Sequence, residues 1–425
     1  MKNKFQTLFL LLLLKVLLEF CYVEIISPLF SYAGLILSIS TVKVAESYLL
    51  FIVVVLFLIF LLEDKNIPSK IIIYLISVFL YTPLTSLFWL QDQNRVFIYC
   101  ITLSLVFIIL SVKYLPKIKF FELNGGEGLL KFITISMTIS VYGLLILQGG
   151  IGRINLNLLD VYETRAGYSA NNNLVLGYLL PWQAYGVNML LIARGLYRKR
   201  YLFVTGIILM QVLLFSMTNF KSILFAPLIL IGFHLFRNTK VKNKLLFIMS
   251  TGSVFIVILS LGIYYLFADI FILSVFVRRF FFVPADLHFV YYNFFDGIEK
   301  FELSHSIFSS IIENKYGLTP VKLVSFNYYN KDFAPNVGFF GDAYLNFGLL
   351  GIFAFSVLLV LLLKLIDSVS SSVPPSLSMS ILIIPSLALL NSAFFTSLLT
   401  HGIIFTVFLL WLSNNYFRKT SNFNK

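Results

Sequence analysis

Apolar residues recur along this chain in runs of about 20, the length at which an α-helix crosses a hydrocarbon core about 30 Å thick. Windows of that kind fall at 5–23, 46–62, 71–90, 96–112, 129–147, 174–193, 201–218, 222–236, 245–267, 343–364, 377–397 and 400–416. Such runs leave few choices of fold. A backbone in lipid must satisfy its polar groups internally, as a helix or as a closed barrel. The short alternating strands of a barrel do not occur, so the reading is an all-α polytopic membrane protein of about 12 transmembrane helices. Composition agrees: 59% of residues are hydrophobic and 12% charged. Soluble domains carry about 25% charge, so a cytosolic enzyme, a disordered chain and a fibrous protein are excluded.

A net charge of +13 would suggest nucleic acid in a soluble protein. Here its placement matters more. With the N-terminus inside, 20 of the 32 basic residues fall on the cytoplasmic side, among them Lys2, Lys4, Arg198, Lys199 and Arg200. The short outer loops hold only Lys43, Arg95 and Lys221. This positive-inside bias puts both termini in the cytoplasm, and the basic balance reports orientation rather than nucleic-acid binding. The first span carries Lys15 and Glu19, lacks a small-x-small cleavage site, and reads as an uncleaved helix. Lys15 and Glu19 are four apart on one helical face, where they neutralise each other. Cys21 and Cys100 read as small buried helix residues, with a disulfide open if both lie near one membrane face.

The chain reads as one integral domain, 1–425, with two outer segments too long to be turns. The first is 148–173; the larger, 268–342, lies between helices 9 and 10 and has no counterpart in the first half. That asymmetry argues against a transporter built from repeated halves and for chemistry at the outer face. GxxxxGK, HExxH, GxSxG and DxD are all absent. No nucleotide, metal or other cofactor is therefore expected.

The charged and aromatic residues of the outer segments are the candidates. Tyr162 and Arg165 lie in a polar cluster, Asp160 to Arg165; the arginine suits bidentate phosphate binding and the tyrosine a sugar or lipid head. The alternative is a solvated loop whose charges simply pair. Arg278 and Arg279 fall between apolar runs at the membrane boundary; adjacent helical residues diverge by about 100°, so one faces a site while the other snorkels. His288 is a candidate general base with Asp286 close by, or else a hydrogen-bonded structural histidine. His305 precedes a short amphipathic run, and Tyr328 and Tyr329 offer aromatic faces that stack on a sugar or belong to the aromatic belt. Lys221 breaks the local charge rule in the tight outer turn 218–222.

These stretches resemble the O-antigen polymerase (Wzy-type) family of oligosaccharide repeat unit polymerases. The resemblance is carried by Val161 to Arg165, Asn219 to Ser222, Arg278-Arg279-Phe280 with Pro284, and Gly338 to Gly351 with its acidic–aromatic–NFGxxG pattern. In the last stretch Asp342 and Tyr344 are placed to face a site, and Gly348 and Gly351 to permit close helix packing. An Arg-x10-Gly signature found in some members is absent. The resemblance implies a C-type membrane glycosyltransferase of the bacterial inner membrane. Its substrates would be undecaprenyl-pyrophosphate-linked oligosaccharides, and its partners a chain-length regulator and a flippase. Arg278, Arg279, Asp286 and His288 would be catalytic. Tyr162, Arg165, Lys221, Tyr291, His305, Asp342 and Tyr344 would bind substrate. Two other readings share part of the evidence. An O-antigen ligase has the same architecture, and His305-Ser306 with Gly317 approaches its histidine-to-glycine spacing. A lipid-linked oligosaccharide flippase would need charged span interiors and short outer loops.

Overall fold

The computed structural model describes residues 2–118, 120–121, 123, 125–157, 164–165, 167–168, 174–235 and 244–422, as backbone only at residues 2, 415–416 and 418–422. No strand occurs among the described residues. The principal helices are α1 (Lys2–Cys21), α2 (Thr41–Leu62), α3 (Lys70–Leu90), α4 (Arg95–Tyr114), α5 (Gly126–Leu147), α6 (Leu174–Tyr197), α7 (Tyr201–Thr218), α8 (Lys221–Leu235) and α9 (Leu245–Phe267). They are followed by α10 (271–295), α11 (Pro320–Asn327), α12 (Phe339–Val369), α13 (Pro375–Leu390) and α14 (Ile403–Asn422).

Among the described residues, nine helices are long and apolar enough to cross a membrane, so the protein is a helical, multi-pass membrane protein. Three expected spans fall short of that measure. α8 and α13 are apolar but shorter; at 1.5 Å per residue, the 15 residues of α8 reach about 22 Å. α1 is long enough but carries Lys4, Lys15 and Glu19. The end of α13 also differs from expectation. The chain turns at 391–393, makes a short helix at Phe394–Leu398, turns again at Gly402, and only then enters α14.

The segment 268–342 is not an open loop. Its first part, α10, is a continuous helix packed against α3 and α12, with 284–292 buried. α3 is the central helix, 94% enclosed by its neighbours. α12 packs on α4 and α10, and its C-terminal end fixes two other helices. The Asp367 carboxylate accepts from Ser69 N (2.9 Å) and Oγ (2.7 Å), capping the start of α3. Lys364 Nζ donates to Val112 O (2.8 Å) and Leu115 O (2.5 Å) at the end of α4. An anion at a helix N-terminus and a cation at a C-terminus both complement the helix dipole.

Lys15 and Glu19 pair as the spacing requires, at 2.8 Å, inside the bundle. Lys15 Nζ also donates to Ser47 Oγ at 2.9 Å, and Glu19 accepts from Tyr48 Oη (2.6 Å) and Trp89 Nε1 (2.9 Å). Between helices in lipid, such polar contacts and close packing hold what the hydrophobic effect does not. Cys21 and Cys100 are both free thiols. Two buried clusters result. The larger runs through most of the bundle; the smaller comprises parts of α5–α8 with Tyr168.

Candidate functional site

The site is built by a break in α12. Phe347 (φ −141°, ψ 19°) and Gly348 (φ 63°, ψ −149°) leave helical geometry, and only glycine takes the second conformation without strain. The break frees the carbonyls of Leu345 and Asn346, which accept from Phe301 N (3.0 Å) and Glu302 N (3.2 Å). Asn346 Oδ1 takes a third donor, Leu303 N at 2.8 Å. The glycines of the NFGxxG stretch thus serve this break rather than helix–helix packing. A methyl on Gly351 would lie 2.2 Å from Ala343 O on the far side of the break. Glu302 and Leu303 both have positive φ (51° and 69°), an uncommon state for side-chain-bearing residues.

His305 is thereby carried to the first turns of α12. Its Nε2 lies 3.5 Å from Asp342 Oδ1, and its Nδ1 is enclosed without a hydrogen-bond partner. Asp342, 2% exposed, is fixed by two further donors: Asn346 Nδ2 to Oδ1 (3.2 Å) and Phe394 N to Oδ2 (2.7 Å). His305, Asp342 and Asn346 border a cleft of about 320 Å³, closed on its other side by Phe395, Thr396 and Thr400. That far wall is anchored by Trp182, whose Nε1 donates to Leu399 O at 2.6 Å, and by Ser392 Oγ, 3.2 Å from His401 Nε2. His401 has no partner legible in the sequence; the turn at 391–402 supplies one.

Two expected binding residues, His305 and Asp342, are therefore brought together. The others lie elsewhere. Asp286 is buried on α10, accepts from Gln91 Nε2 at 2.9 Å, and burial pushes its carboxyl up to about 7. His288 is fully enclosed; its Nδ1 donates to Pro284 O at 2.6 Å, and burial lowers its imidazole to about 4. Neither borders the cleft. Arg278 lays its guanidinium 4.1 Å from the centroid of Phe30 and donates to Ser274 Oγ, whereas Arg279 is exposed. Tyr291 Oη donates to Pro335 O at 2.9 Å, pinning the segment that leads into α12. Tyr344 packs on Tyr292 beneath Lys300 and reaches Asp296 Oδ1 at 3.4 Å. Arg165 reaches the turn between α7 and α8, next to which Lys221 begins α8: its Nε donates to Asn219 O at 3.0 Å. Tyr162 lies outside the described residues.

The signal for Asn346 was present, an amide two residues before the glycine that breaks the helix. The wall at 393–400 had none, because its residues read as the end of an apolar run. No group of three or more histidine, cysteine, aspartate or glutamate side chains placed to hold a metal occurs among the described residues. Comparison with known proteins finds no match to a protein family, to a curated protein or to a solved structure.

Proposed function

We propose that this chain is a membrane glycosyltransferase that polymerises undecaprenyl-pyrophosphate-linked oligosaccharide repeat units at the periplasmic face of the bacterial inner membrane. In this reading it has twelve spans, both termini in the cytoplasm and a C-type architecture. The observation that carries it is the His305–Asp342 pair at the rim of a cleft whose far wall is Phe395, Thr396 and Thr400. A buried carboxylate that orients an imidazole is the arrangement of a general base. His305 takes the proton of an acceptor hydroxyl, and that oxygen bonds to the anomeric carbon of the growing chain. The bond from that carbon to pyrophosphate breaks, and undecaprenyl pyrophosphate leaves with the electron pair. Basic residues of the outer segments, Arg165 and Lys221 among them, neutralise the leaving group.

The test uses a strain lacking the gene, complemented with variants at matched protein level. His305→Ala and Asp342→Asn should each lower polymer formation by about 100-fold or more, the scale of a lost general base. Lipopolysaccharide would then carry a single repeat on gels. Normal ladders from both variants would overturn the proposal, and bare core would point to a ligase instead.

A further inference from the structure

The cleft at the break in α12 offers more polar surface than the His305–Asp342 pair uses. Its wall at 393–400 is fixed from behind: Leu399 O accepts from Trp182 Nε1 at 2.6 Å, and Thr396 O from His401 N at 3.0 Å. Thr396 and Thr400 border the cleft from that wall, Ser309 from the segment after His305, and Tyr178 from α6. None of these four side-chain hydroxyls makes a hydrogen bond among the described residues. Their neighbours are already engaged. Asn346 serves Asp342 O and Leu303 N, and Ser306 Oγ donates to Leu303 O at 2.7 Å.

A hydroxyl both donates and accepts, which is what a sugar hydroxyl offers in return. The rings of Tyr178 and Phe395 border the same space and supply apolar surface for the C–H face of a sugar ring. At about 320 Å³ the cleft lies near the lower end of ligand pockets, about 300–1,000 Å³, so it holds the end of an oligosaccharide rather than a whole repeat. Charge is the sharper constraint. Among the described residues no lysine or arginine borders the cleft, and the stretch 169–173 just before α6 reads Ser-Ala-Asn-Asn-Asn. The formal charge at the cleft is the carboxylate of Asp342, because His305 must be neutral to take a proton. A carboxylate on the incoming sugar would meet a like charge and no counter-ion, where enclosure weakens the screening by water.

We infer that this cleft takes the terminal sugar of the acceptor, that the sugar it selects carries no negative charge, and that Tyr178, Ser309, Thr396 and Thr400 hold it. The inference rests on the glycosyl-transfer reading and names the substrate class of its acceptor. The four hydroxyls read the sugar's own hydroxyls, and Asp342 rejects a uronic acid at the position next to His305. Binding is measured without turnover, so the two can fail separately: sugar bound by a chain whose His305→Ala variant polymerises normally would sink the transfer reading alone.

The full chain in nanodiscs is titrated by saturation-transfer NMR with the methyl glycosides of glucose, galactose, mannose and N-acetylglucosamine. Each is paired with its C6-oxidised uronate and with the neutral uronamide. At least one neutral glycoside should bind, its uronate about ten-fold or more weaker, and its uronamide close to the parent. The double variant Thr396→Val, Thr400→Val keeps the shape of both side chains and should weaken the neutral sugar by about ten-fold, the effect of two lost hydrogen bonds. Should that variant fail to fold, Ser309→Ala, at an exposed hydroxyl, should weaken it by several-fold. Lys322→Gln, at an exposed residue paired with Asp332, should bind as the wild type does. No neutral glycoside bound at tens of millimolar would overturn the inference. A uronate that binds as well as its parent would also overturn it, as would a uronamide that binds as poorly as the uronate, since charge is then not what the cleft rejects. Unchanged affinity in the folded hydroxyl variants would place the sugar elsewhere and overturn it too.

Discussion

At the scale of single residues, the sharpest consequences come from charges placed where lipid or protein excludes water. Lys15 and Glu19 satisfy each other together with Ser47, Tyr48 and Trp89. Removing one partner of a buried pair leaves the other uncompensated and typically costs about 3–5 kcal/mol. Lys15→Met should therefore lower the unfolding midpoint in detergent markedly, and the double variant Lys15→Met, Glu19→Gln should recover part of the loss. Equal or additive losses would show that the pair is not coupled. Asp286 gives a pH dependence of definite sign. Its carboxyl is raised from 3.8 to about 7 by burial, so the folded state holds the proton that the unfolded state releases. This contribution is full below about pH 4, is lost as pH rises from about 4 to 7, and is flat above. Asp286→Asn keeps the acceptor for Gln91 and cannot ionise. The variant should match the wild type at pH 4 and exceed it at pH 8 in thermal stability.

At the scale of elements, the break in α12 decides where the site lies. Gly348 sits at φ 63°, ψ −149°, a region that alanine reaches only with strain of about 1–3 kcal/mol. Gly348→Ala should therefore straighten or loosen the segment whose carbonyls hold Phe301 and Glu302, and with it the approach of His305 to Asp342. Polymer formation should fall while the protein still inserts, as gels and membrane fractionation would report. Normal polymer would detach the break from function. The sequence made the NFGxxG stretch visible as a pattern, but not its purpose. Two glycines three apart are equally suited to close helix packing and to a bend. The choice between them rests on Phe301 and Glu302, more than 40 positions earlier in the chain, which take up the freed carbonyls.

At the scale of the whole molecule, the charge distribution makes a topological prediction. In a variant with Cys21 and Cys100 replaced, a cysteine at Ser310 should react with a membrane-impermeant maleimide in spheroplasts. One at Lys199 should react only after the membrane is opened. The reverse result would invert the proposed orientation. Runs of about 20 apolar residues with few charges can only be helices in lipid, and that much is local, because it follows from satisfying each backbone group within its own segment. The Lys15–Glu19 pair was legible for the same reason, since i and i+4 meet on any helix. The site was legible only in fragments. His305 and Asp342 stood out as polar residues in an apolar chain. That they meet each other, while Asp286 and His288 turn into protein, depends on how α10 and the 296–338 segment fold back on the bundle. That His305 Nδ1 is left without a partner gave no signal at all, because an unmet hydrogen bond exists only once the surrounding chain has closed over it. Sequence alone thus fixed the solvent and the helices, through short-range backbone chemistry. Tertiary packing chose which polar groups meet, because those contacts join residues far apart along the chain.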